Sequence, residues 1–159
     1  MKGIEILKLA ISILINLLAG FIGSIFTNRQ IPTWFATLKK PSFSPPNWLF
    51  GPVWTALFIL MGVSLFLIWR KGLNYPSVKI ALIIFGIQLL LNILWSFLFF
   101  AQRAPLAGFI EIIILWVLIL MTILTFYPIS KTAAILLLPY ILWVSFASIL
   151  NFSLWRLNQ

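Results

Sequence analysis

The side chains able to do chemistry are few, and most fall inside apolar runs. Gln88, Asn92, Trp95 and Phe99 follow one another at spacings of four, three and four residues, so a helix presents them on one face. Amides in hydrocarbon are costly without partners, and they turn toward the interior of a bundle. That face reads as interhelical glue or, with two rings beside the amides, as a pocket wall. Trp143, Ala147, Leu150 and Asn151 form a second face. Trp143 lies well past Lys131, roughly 18 Å along a helix axis, deeper than the headgroup level where belt tryptophans sit. Its indole N–H then needs a partner inside the bundle, and Ala147, one turn on, leaves room beside the ring. Phe50, Trp54, Phe58 and Met61 make a third stripe, a pattern used for core or lipid contact more often than for a ligand. Faces of this kind on three segments suit a flat, hydrophobic, partly polar ligand.

Much other chemistry is excluded. The chain has no Cys and no His. Disulfides, thiol nucleophiles, the usual zinc sites, Ser-His-Asp triads and histidine ligation of haem iron are therefore absent. The acids are Glu5 and Glu111 alone, too few for paired-carboxylate catalysis or a calcium cage. Glu111 falls in an apolar run. It reads as a functional candidate or as a hydrogen-bonded structural acid near the interface. The net charge of +9 comes from eleven scattered bases. It forms no nucleic-acid stripe and suits anionic headgroups at helix ends.

The elements that hold these faces follow from composition. Of the 159 residues, 63% are hydrophobic and 8% charged, whereas soluble chains carry about 25% charged residues. The expected fold is all-α, a single integral-membrane domain over residues 1–159 built as a five-transmembrane-helix bundle. The spans are expected at about 6–27, 46–69, 79–101, 105–127 and 131–155. Short links make neighbouring helices antiparallel. The first span is expected to be retained, because its apolar stretch is longer than a signal peptide's. One end collects Lys2, Lys8, Arg70, Lys71, Lys79 and Lys131, the other Arg29, Lys39, Lys40, Arg103 and Arg156, which leaves orientation undecided. The 28–45 connection holds Pro32, Pro41 and Pro45 with Trp34, Phe35, Lys39 and Lys40. Its prolines bar regular helix, and it reads as a pocket lid or as an interfacial loop. Pro46 suits the start of the second span.

Several of these segments together resemble the translocator protein (TspO/MBR) family, also called peripheral benzodiazepine receptors. They are Trp34-Phe35, Leu38-Lys39-Lys40-Pro41-Ser42-Phe43-Ser44-Pro45-Pro46, Trp48 and Gly51-Pro52-Val53-Trp54. Further along come Gln88, Asn92, Trp95 and Phe99-Phe100, then Pro139-Tyr140, Trp143, Phe146-Ala147 and Leu150-Asn151. The resemblance implies a multi-pass bundle, often a homodimer, with a pocket beneath the first long loop. It implies porphyrin as a ligand rather than a bound cofactor, and isoquinoline carboxamide and benzodiazepine-type compounds in the same site. By that resemblance the ligand-binding residues are Pro45, Phe50, Trp54, Phe58, Asn92, Trp95, Trp143, Ala147 and Leu150. Trp54 and Trp143 match the tryptophans linked in some bacterial relatives to light-dependent porphyrin breakdown. The leading expectation is a membrane receptor or carrier for tetrapyrroles; a porphyrin-degrading enzyme and a small-molecule or sterol transporter are the alternatives. The family's sterol motif wants a Tyr where Phe152 stands, which weighs against sterol recognition.

Overall fold

The computed structural model describes residues 3–159, and its secondary structure is entirely helical. Helix α1 is Gly3–Gln30, α2 Trp34–Thr37, α3 Asn47–Trp69, α4 Pro76–Ser96, α5 Pro105–Phe126, α6 Lys131–Leu136 and α7 Leu138–Leu157. A π-helical turn, Phe97–Ala101, continues α4. Five helical segments are long and apolar enough to cross a membrane, α4 with its π turn and α6 with α7 each counting as one.

Proline places several boundaries. Pro76 and Pro105 stand in the first turns of α4 and α5, where a missing N–H costs nothing. Pro139 does the same for α7, so the fifth span is two helices meeting at Leu137 rather than the single helix expected over 131–155. The 28–45 connection departs from expectation in a similar way. Helix α1 runs on to Gln30, and a helical turn forms at Trp34–Thr37, between Pro32 and Pro41. Prolines bound this turn instead of barring it, because neither lies inside it.

The bundle is held by apolar contact at its centre and by polar ties at its ends. Met61, Ile119 and Val144 are fully buried, and Phe85 stacks on Phe126 with ring centroids 5.8 Å apart. Ser64 of α3 donates to the Ala133 carbonyl of α6 at 2.7 Å. At one end Glu5 pairs with Arg70 at 3.4 Å, and Lys8 lies over the Trp69 ring. At the other, Arg103 Nε donates to Gln30 Oε1 at 3.2 Å. The two groups of bases expected at opposite ends are thus separated, apart from Lys2, which lies outside the described residues.

Candidate ligand cavity

A cavity of about 520 Å³ opens within the loop-side half of the bundle. This is within the range of small-molecule sites. Helix α3 supplies Phe50, Trp54 and Phe58, α4 supplies Asn92 and Trp95, and α7 supplies Trp143, Ala147 and Leu150. The three faces derived from spacing therefore meet on one space. Pro45 is not on the lining. It sits half-buried in the extended chain leading to Pro46, the residue before α3. Met61 lies deeper and is core.

Aromatic contacts set the wall. Trp54 stacks on Phe58 at 5.6 Å and meets Tyr140 edge-on at 6.2 Å. Phe50 meets Trp143 edge-on at 6.0 Å. The π turn does more than end a helix. Its wider coil bonds Gln102 N–H to the Phe97 carbonyl at 3.0 Å and brings both Phe99 and Phe100 inward. Such turns concentrate at functional sites. Phe99 stacks on Trp95 at 5.2 Å, and Phe35 of α2 packs on both phenylalanines from the loop. Phe35 is only 4% exposed. The loop thus covers the end of the cavity. Lys39 holds it there: its N–H donates to Asn158 Oδ1, and its carbonyl accepts from Asn158 Nδ2, both at 2.9 Å.

Polar groups divide into those already bonded and those left open. Asn92 donates to the Tyr140 hydroxyl at 2.8 Å, and Tyr140 donates to Gln88 Oε1 at 2.9 Å. Gln88 is thus structural glue behind the wall, not lining. Trp95 donates its indole N–H to Asn151 Oδ1 at 3.0 Å, and Asn151 donates to the Pro105 carbonyl at 2.8 Å. Trp116, outside the cavity, donates to Ser145 at 2.8 Å. Trp54 and Trp143 differ. Neither indole N–H has a hydrogen-bond partner among the described residues, and the Trp143 nitrogen is fully buried. Buried donors are seldom left unpaired, yet the partner expected for Trp143 inside the protein is absent among the described residues.

Helix α1 was not anticipated as a wall. It contributes Leu17, Gly20, Ser24 and Thr27, at spacings of three and four, and Ile31 follows just past its end. That register of small and hydroxyl residues is the signal that could have found it. Glu111 is 5% exposed, and neither carboxyl oxygen has a partner among the described residues. It does not line the cavity, and it is buried among the helices without the hydrogen bond expected of a structural acid.

The chain matches the model of the TspO/MBR family over residues 12–156. It is 50% identical to the tryptophan-rich protein TspO of Archaeoglobus fulgidus, over 97% of this chain and 99% of that one. Against the tryptophan-rich protein TspO of Chlorobaculum tepidum the identity is 47%, over 97% and 98%. The human translocator protein is 35% identical, over 89% of this chain and 85% of its own. With full-length relatives on this scale, and with five helices able to span a bilayer, the chain belongs to the TspO/MBR family and is a multi-pass integral membrane protein.

Proposed function

We propose that the protein is a membrane receptor or carrier that binds porphyrins and related flat hydrophobic ligands in the cavity. One observation carries the reading: an aromatic space of about 520 Å³ faced by Trp54 and Trp143, whose indole N–H groups have no partner among the described residues. A planar macrocycle would be held by stacking and apolar burial. Its carboxylates or ring nitrogens would supply an acceptor to the Trp54 indole N–H. The Asn92 carbonyl oxygen, which receives no protein donor among the described residues, offers an acceptor on the same wall. Purified protein titrated with free-base protoporphyrin should show saturable quenching of tryptophan fluorescence, weakened by replacing Trp54 and Trp143 together with Ala. Quenching that never saturates, or that survives the double replacement, would overturn the reading.

The open indoles also support a second reading, light-dependent porphyrin breakdown. An excited porphyrin in contact with Trp54 or Trp143 could draw an electron from the ring, with dissolved oxygen as the final oxidant. This chemistry needs no His, Cys or metal. A dark-against-light absorption spectrum of the bound porphyrin separates the two readings.

A further inference from the structure

The exposed members of the cavity lining are confined to two elements. Phe21 and Asn28 lie on α1, and Asn47, Trp48, Gly51 and Thr55 on the start of α3. Phe21 is 64% and Trp48 71% exposed. The lining residues of α4, the π turn and α7 are buried or half-buried. The cavity is therefore open along one seam.

Glycine contacts show how the seam forms. A Cβ on Gly62 of α3 would stand 2.6 Å from the Ile13 Cα of α1, and one on Gly20 would stand 2.6 Å from the Phe58 ring. At those levels the antiparallel pair is in tight contact. Further toward the loop, a Cβ on Gly51 would meet nothing within 4 Å. The two helices touch at Ile13–Gly62 and separate toward Ser24 and Gly51. The mouth spans the first ~12 Å of α3, so it faces the headgroup boundary and upper acyl chains of one leaflet. The loop end, by contrast, is covered by buried Phe35 and clipped through Lys39 to Asn158.

We propose that ligand reaches the cavity sideways from the bilayer, through the α1–α3 mouth, and not through the loop. The route fits a planar amphiphile already dissolved in the leaflet. Its apolar body would pass between Phe21 and Trp48 while its polar edge stays level with Asn28 and Asn47. Residence in the bilayer also removes the need to carry such a ligand through water. This inference rests on the binding reading above for its ligand.

The absence of native cysteine makes the test direct. In phospholipid vesicles, Gly51→Cys would be capped with a benzyl methanethiosulfonate reagent. In a separate protein, Lys39→Cys and Asn158→Cys would be joined by a short bis-maleimide, which locks the loop shut. Association of bilayer-dissolved protoporphyrin is followed by stopped-flow tryptophan quenching. The cap should slow association at least tenfold, with recovery when a thiol removes it. The locked loop should leave the rate within twofold of the parent. A locked loop that blocks association, or a capped mouth that does not slow it, would overturn the lateral route. If the parent takes up no porphyrin at all, the binding reading fails, and the mouth is tested alone. A nitroxide on Thr55→Cys should then relax with bilayer-dissolved oxygen rather than with a water-soluble nickel complex. The opposite preference would overturn the proposal.

Discussion

Ala147 is a position at which one side chain sets the room in the cavity. It is buried on the α7 wall, one turn from Trp143, and both residues line the space. Ala147→Thr adds volume and a hydroxyl to a tight site, where overpacking costs about 1–3 kcal/mol. Bulky-ligand affinity should fall roughly tenfold, since about 1.4 kcal/mol corresponds to a factor of ten. An unchanged dissociation constant in a folded Ala147→Thr protein would show that the wall gives way. Tryptophan substitutions address the photochemical reading. Phe at Trp54 or Trp143 keeps most of the stacking surface but removes the electron-rich indole. Bleaching of bound porphyrin under equal illumination should slow in both variants. It should not change in Trp116→Phe, because Trp116 lies off the cavity with its N–H on Ser145. Equal rates in all three would remove the two cavity indoles from the chemistry. These positions were readable from spacing alone. Which indoles remained unbonded was not: Trp95 and Trp143 look alike on their helices, and only Trp95 finds Asn151.

Helices α4 and α7 are joined by a polar chain in which Tyr140 is the middle link. Tyr140→Phe keeps the ring but deprives Gln88 of its donor and Asn92 of its acceptor. A buried group left unpaired costs about 1–3 kcal/mol, so the variant should melt at lower temperature in detergent while staying helical. An unchanged melting temperature would mean that water takes over both bonds. The loop is attached more simply. Asn158→Ala removes both bonds to the Lys39 backbone, and hydrogen exchange at the Lys39 amide should accelerate while the amides of α3 stay protected. Exchange as slow as in the parent would show that Phe35 packing alone holds the loop. The sequence motifs placed aromatic and basic residues in this loop. They did not reveal that its anchor is the side chain of residue 158, because a contact across that separation leaves no local pattern.

Across the full chain, the absence of His and Cys sets how iron porphyrin must be treated. If the proposed binding reading holds, with no imidazole or thiolate to ligate the metal, stacking and burial would supply the affinity, and neither depends on iron. Free-base porphyrin should therefore bind as well as or better than haem. Clearly tighter haem binding with a low-spin spectrum would point to an axial ligand, with Tyr or Met the remaining candidates. The helical spans and the three cavity-facing stripes were legible in the sequence, since hydropathy and the 3.6-residue period are properties of short segments. So was the identity of most lining residues on α3, α4 and α7. The break at Leu137 had a local signal in Pro139, but the π turn that brings Phe99 and Phe100 inward together and the rotation that makes α1 a wall emerged only on packing. Each depends on how helices distant in sequence are rotated and spaced against one another. The seam between α1 and α3 has the same origin: Gly62 and Gly20 permit close approach to Ile13 and Phe58, and nothing fills the space beside Gly51.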